Sequence, residues 1–181
     1  MSSDNPSGAG NQQERPGNEQ WIVGFVDGEG CFSISLVRNA TCRLGWEVQH
    51  EFAVTQAAGS RPALEAIVRY FGCGKIVEQV RSGSHRQALL RYSVKDRRSL
   101  SDRIVPFFEE HPLITAKQQD FRWFAQVLTM MHLGSHLTEM GLHDIAAITQ
   151  QMNRKQQSRY LESSEAIRQL PHFDGEVKIW S

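Results

Sequence analysis

Between Glu19 and Asp27 the apolar side chains Trp21, Ile22, Val23, Phe25 and Val26 surround Gly24 with almost no polar interruption. A run that is apolar on most sides predicts a short helix buried on most sides. Asn18 is placed to cap its start, and Gly28 and Gly30 to stop it. From Cys31 the period becomes two, with Phe32, Ile34 and Leu36 on one face and Cys31, Ser33, Ser35 and Val37 on the other. That alternation is the mark of a half-buried strand. A turn over Asn39 to Gly45 leads to a second alternation, Trp46, Val48, His50, Phe52 and Val54 against Glu47, Gln49, Glu51, Ala53 and Thr55. The two runs predict an antiparallel hairpin. From Ser60 to Phe71, the residues Leu64, Ile67, Val68 and Phe71 recur at helical spacing ahead of Gly72 and Gly74, predicting a second helix with a glycine stop. Lys75 to Arg81 and Arg86 to Lys95 then predict two further strands about a Ser82-Gly83-Ser84 turn, with Ile76, Val80, Leu90, Tyr92 and Val94 facing inward.

Downstream the period is helical. Asp96 is a candidate cap for a helix carrying Leu100, Ile104, Val105, Phe107 and Phe108, which must tolerate or kink at Pro106 and closes by Pro112. Thr115 to Met131 carries Phe121, Phe124, Val127, Leu128 and Met131 on one stripe, and Thr138 to Met152 carries Leu142, Ile145, Ala146 and Ile148. Beyond Asn153 the pattern weakens. Strands early and helices late predict an α+β fold: a four-stranded antiparallel sheet backed on one face by helices, with extra C-terminal helices. The other sheet face is then free to meet a partner. Ser33, Ser35, Asn39, Gln49, Glu51, Thr55, Lys75, Gln79, Arg81, Arg86 and Arg91 fall on that face. Such hydrogen-bonding and basic side chains suit base edges in a major groove and phosphates, although a merely wetted sheet face uses the same residue types.

Composition narrows the choice. A chain of 181 residues that is 40% hydrophobic supports one globular domain with a real core, not two. Residues 1–17 are rich in Ser, Asn, Gly, Gln and Pro without an aromatic or β-branched side chain, and read as a disordered tail. The domain is expected over 18–153, followed by a C-terminal extension, 154–181. The tail has no apolar run and Arg15 as its sole base, so it fits neither a secretory signal nor an Arg-rich transit peptide. No window reaches membrane-spanning length. Cys31, Cys42 and Cys73 lack any CxxC spacing, which argues against a zinc cage and for reduced thiols in an intracellular compartment, bacterial cytoplasm or organelle. The net charge is zero, but between Cys31 and Arg98 eleven bases meet five acids. The basic stretch coincides with the predicted sheet, as a polyanion-binding face or a solvated one would have it.

The candidate chemistry lies at Ile22 to Gly30, IVGFVDGEG. It resembles the motif that names the LAGLIDADG homing endonucleases, in a variant ending DGEG. Further stretches in the same order are similar to single-motif members: Val54-Thr55-Gln56, Ile104-Val105-Pro106-Phe107-Phe108, Leu113-Ile114-Thr115-Ala116-Lys117-Gln118 and His136-Leu137-Thr138-Glu139-Met140-Gly141-Leu142. The resemblance spans about Gln20 to Asn153. It implies an αββαββα core and a homodimeric, metal-dependent endonuclease cutting both strands of a long, roughly palindromic duplex DNA. It also implies that Glu29, Gln56 and Lys117 serve catalysis. A third basic group is expected a few positions past Gln56, at Ser60 or Arg61, of which Arg61 alone is a cation. A DNA-binding regulator that has lost catalysis, or an RNA-binding splicing factor, keeps the same fold.

Residue chemistry supports parts of this independently. Gly24 and Gly28 are four apart, so they share one helix face and let a second helix approach closely. With one copy of the motif in the chain, that helix must come from a second molecule in an isologous dimer, with Asp27 at the same interface. Glu29 then stands beside its symmetry mate. Two carboxylates so close repel unless divalent cations lie between them, and oxygen donors with positions left for water and phosphate suit Mg²⁺ or Mn²⁺. Asp27 is better suited to bonding backbone at a helix end than to holding metal. His132 and His136 are four apart, but Gly134 interrupts a shared helix face, so with His143 they read as loop-surface residues. Arg154, Lys155 and Arg159 fit either phosphate contacts or a solvated basic end.

Overall fold

The computed structural model describes residues 18–79, 88–152 and Tyr160. Helix α1 (Asn18–Glu29) buries Ile22, Val23 and Val26. It runs through Gly28 rather than stopping there, and Asn18 is its first residue rather than a cap outside it. A glycine inside a helix costs only about 1 kcal/mol relative to alanine, which packing of the apolar side readily outweighs. The real break is at Gly30, where β1 (Gly30–Arg38) begins directly. A Cβ there would lie 2.5 Å from Val26 Cγ1 and 2.7 Å from the Val26 carbonyl oxygen, so only glycine permits so sharp an exit.

Strand β2 (Trp46–Ala57) pairs antiparallel with β1 from Arg38↔Trp46 to Gly30↔Val54. Its last residues run past the start of β1 and pair with β4 (Leu89–Val94), up to Ala57↔Leu89. Strand β3 (Lys75–Gln79) pairs with the far side of β4, giving the order β1-β2-β4-β3. The expected ends of β3 and β4, with Val80, Arg81, Arg86 and the Ser82-Gly83-Ser84 turn, lie outside the described residues, as do the tail 1–17 and the basic residues Arg154, Lys155 and Arg159.

Helix α2 (Arg61–Phe71) packs Leu64, Ile67 and Phe71 inward and ends at Gly72, φ 59°, the left-handed stop expected there. The Asp96 side chain accepts from the Ser99 amide at 2.8 Å, capping α3 (Arg97–Ser99). A π-helical turn, Leu100–Ile104, then leads into α4 (Val105–Glu110). This is how the chain tolerates Pro106: the proline lacks the N–H an α-turn needs, and the wider turn relieves the mismatch. Helix α5 (Lys117–His132) starts two residues later than its apolar stripe suggested, and α6 (Glu139–Met152) follows Thr138, whose hydroxyl accepts from the Gly141 amide at 3.1 Å.

The described helices pack on the side of the sheet that carries Phe32, Phe52 and Tyr92. Phe32 is the hub, stacked on Phe52 with centroids 5.0 Å apart and within 5.4 Å of the Phe108, Phe121 and Phe124 rings. Tyr160 also joins this core: it is buried, meets Trp46 edge-on at 5.1 Å and donates to the Glu139 carbonyl oxygen at 3.4 Å. The domain therefore takes in a residue assigned from sequence to the extension. Among the described residues no helix is long and apolar enough to cross a membrane.

Candidate functional site

The site is built around the C-terminal end of α1. The last turn of a helix leaves carbonyl oxygens without partners, and a cation there is favoured by the helix dipole. Lys117, the first residue of α5, supplies that cation: its Nζ donates to the Val26 and Asp27 carbonyl oxygens at 2.8 Å each. Burial pushes the Lys117 ammonium below its usual range, opposed by the carboxylates of Asp27, Glu29 and Asp120. Lys117 and Glu29 thus share one electrostatic neighbourhood although 88 positions apart.

Asp27 makes this possible. Its Oδ2 accepts from the Ile114 amide at 2.7 Å, and its Oδ1 accepts from the Thr115 amide at 3.2 Å and the Thr115 hydroxyl at 2.7 Å. The Thr115 hydroxyl in turn accepts from the Lys117 amide at 3.2 Å. Burial pushes the Asp27 carboxyl up, but the bonds from Thr115 and Ile114, with the Lys117 charge, outweigh it and hold the group below its ordinary range. Asp27 therefore fastens the start of α5 to the end of α1. Its carboxylate is engaged within its own chain. Ile114 and Thr115 stand in a stretch singled out from sequence, but their bonding to Asp27 does not show there, because no local pattern says which backbone amides a carboxylate will meet.

Glu29 is the last residue of α1 and is exposed. Gly24 and Gly28 are also exposed, and a Cβ at either would meet nothing within 4 Å, so one side of α1 is open backbone. Gln56 is half-buried on β2, two residues beyond the Gly30↔Val54 pair, at the same end of the sheet. Arg61 is exposed as the first residue of α2, where the dipole of its own helix disfavours a cation. Ser60, just before it, makes no side-chain cap. The described residues contain no group of three or more His, Cys, Asp or Glu suited to a metal, and His132, at the end of α5, and His136, after Gly134, belong to separate elements.

On the open sheet face Ser35 and Gln49 are exposed opposite one another, and Lys75 and Gln79 are exposed along β3. The Ser33 hydroxyl donates to the Glu51 carbonyl oxygen at 3.3 Å. Glu51, Thr55 and Arg91, singled out separately from sequence, form one assembly. Arg91 donates from Nε to Glu51 Oε1 at 3.2 Å, from Nη2 to Oε2 at 2.9 Å and from Nη1 to the Thr55 hydroxyl at 3.3 Å. Ser93 adds a bond from its hydroxyl to Glu51 Oε1 at 2.6 Å; its place two residues past Arg91, on the same face, was the available signal. Burial pushes the Glu51 carboxyl up, but the bonds from Arg91 and Ser93 outweigh it. Asn39 is engaged within the turn that follows β1. Its Oδ1 accepts from the Thr41 amide at 3.0 Å and its Nδ2 donates to Glu47 at 2.8 Å, fixing the β1–β2 turn.

Residues 22–128 match the family model described as LAGLIDADG endonuclease. The chain is 32% identical over 128 residues to a Neurospora crassa protein named "Probable intron-encoded endonuclease 2", covering 71% of this chain and 27% of that one. It is 29% identical over 140 residues to the Chlamydomonas moewusii "DNA endonuclease I-CeuI", covering 75% and 62%. The chain thus spans about a quarter of the length of the first of these relatives and under two thirds of the other. Among solved structures, the homing endonuclease I-TnaI superposes with a TM-score of 0.69 at 37% identity, covering 77% of this chain and 90% of that one. The meganuclease I-SmaMI bound to uncleaveable DNA superposes with a TM-score of 0.71 at 29% identity, covering 78% and 46%. With its motif on α1, its four-stranded sheet in the same architecture and more than half its length in the family model, this chain belongs to the LAGLIDADG endonuclease family.

Proposed function

We propose that the protein is a homing endonuclease that hydrolyses both strands of a long, roughly palindromic duplex as a homodimer. The observation that carries this reading is the Lys117 ammonium seated on the last-turn carbonyls of α1, within electrostatic reach of Glu29. A binding protein has no need of an exposed acid and a half-buried cation at the same end of a glycine-faced helix. The bare Gly24–Gly28 side supports close packing against the same helix of a second copy, which would bring two Glu29 carboxylates together.

The donor chemistry fits a hard divalent cation, Mg²⁺ or Mn²⁺, which binds through one or two carboxylates and keeps its remaining positions for water and phosphate. Glu29 and the partner copy's equivalent would hold it, and its contribution when bound is to acidify water and stabilise charge on the scissile phosphate. Lys117 offsets negative charge that develops on the phosphate, its orientation fixed before DNA arrives by the Val26 and Asp27 carbonyls. Gln56 orients water at the same end, and Arg61 is the candidate for a second cation. The exposed Ser35, Gln49, Lys75 and Gln79 face the major groove on the open sheet, with Ser33 beside them. The intron-encoded relatives support an intron as the host element.

The test is cleavage of a supercoiled plasmid library carrying randomised inserts, with Mg²⁺, Ca²⁺ or EDTA. Wild type should linearise a subset of plasmids with Mg²⁺ alone. Glu29→Gln should lose cleavage but keep salt-dependent duplex binding. Cleavage by Glu29→Gln at the wild-type rate would overturn the assignment.

A further inference from the structure

The Glu51–Arg91–Thr55 assembly sits at a definite place along the sheet. The Thr55↔Arg91 pair lies one step past the Gly30↔Val54 pair, level with the junction of α1 and β1, whereas the Arg38↔Trp46 pair marks the far end. Arg91 therefore stands at the end of the open face nearest Glu29. Its side chain keeps 23% of its surface accessible and that of Glu51 19%, so neither charge is freely solvated.

A guanidinium has five N–H donors in a fixed plane. Glu51 takes one from Nε and one from Nη2, the side-on edge, and Thr55 takes one from Nη1. One N–H remains on each of Nη1 and Nη2, the two nitrogens of the end-on edge, and no acceptor among the described residues engages them. Two bonds to a carboxylate fix the plane of the group, so this edge is held in place rather than sampled. The Glu51 carboxylate also sets what the edge will accept. A phosphate brought to it would lie against a second anion, which is unfavourable in a half-buried setting. The neutral acceptors O6 and N7 of guanine match the spacing of two parallel N–H groups and carry no such cost.

We propose that Arg91, held by Glu51 and Thr55, is a specificity-determining residue that reads a guanine in the major groove at the inner end of each half-site. Glu51 is its positioning residue and suppresses contact with phosphate. This inference rests on the DNA-cleaving reading above and adds to it a base identity and a location.

The experiment is sequencing of inserts cleaved by the full-length chain with Mg²⁺ from a randomised duplex library. The same library is selected in parallel for binding with Ca²⁺. Wild type should require guanine at one inner position of each half-site. Arg91→Gln should reduce guanine preference there by about tenfold to a hundredfold and leave other positions unchanged. Arg91→Lys should also relax it, since a point charge replaces a fork. Glu51→Gln should weaken the guanine preference while raising affinity for unrelated duplex and steepening its salt dependence, an effect a merely structural ion pair would not produce. If Arg91→Gln fails to fold by circular dichroism, the doubly neutral Glu51→Gln/Arg91→Gln leaves no unpaired charge and takes its place. An unchanged profile in the Arg91 variants overturns the inference, as does a uniform loss of affinity over all sequences with a reduced salt slope. Failure of wild type to enrich any sequence would instead refute the nuclease reading and this inference with it.

Discussion

Replacing Asp27 by alanine should weaken the fold modestly and cleavage severely, with Lys117 itself intact. The change removes the acceptor for two backbone amides and one hydroxyl, those of Ile114 and Thr115. Were the site buried, each bond to the charged group would contribute about 1.5–3 kcal/mol. Ile114 is 88% exposed, so water takes over much of the lost bonding. The expected cost is that of losing a helix cap, roughly 1–2 kcal/mol. For a chain of this size that corresponds to a fall in melting temperature of roughly 2–8 °C. The pH dependence gives an independent check. Because the folded state holds Asp27 below its ordinary value of 3.8, its stabilisation is fully present above that value. It is lost as pH falls through the lower folded value. The gap between wild type and Asp27→Ala, measured by thermal circular dichroism, should be constant down to about pH 5 and shrink below about pH 4. Cleavage at neutral pH should fall because the start of α5 is no longer tied to the end of α1. A variant that melts with wild type at pH 7, or a gap of equal size at pH 7 and pH 3, would refute the clamp.

Gly24→Leu should fold as a monomer with no stability loss, because nothing lies within 4 Å of the added Cβ, but should not self-associate; sedimentation showing an intact dimer would refute the glycine-faced interface. Phe32→Ala removes the ring that touches Phe52, Phe108, Phe121 and Phe124, and should cost about 3–5 kcal/mol in urea denaturation. Gly74→Ala should also be strongly destabilising, since its φ is +79° and the added Cβ would lie 2.5 Å from Tyr92 Cε2 and 2.9 Å from the Ser93 carbonyl oxygen. A melting curve like that of wild type would show that the β3 entry rearranges.

The readings that rest on alternation and helical spacing agree with the structure where they concern which side chains face inward. Phe32, Ile34 and Leu36 are buried in β1, as are Leu90, Tyr92 and Val94 in β4. They fail at ends, where tertiary contacts decide. Gly28 stays helical because the apolar side of α1 is packed, and α5 begins late because Thr115 is drawn to Asp27. Tyr160 joins the core although its flanking pattern is weak, because one aromatic ring against Trp46 needs no periodicity.

By itself the sequence determined the alternating strands, the apolar stripes, the one copy of a glycine-spaced motif and the acid that ends it. Each depends on residues within a few positions of one another, where backbone geometry fixes which side chains share a face. The tertiary structure decided which distant groups meet: Lys117 on the α1 carbonyls, Asp27 on the Ile114 and Thr115 amides, and Arg91 on Glu51 across adjoining strands. Those pairings follow from strand register and helix packing, which are set by the burial of the whole core, so no local stretch of sequence encodes them.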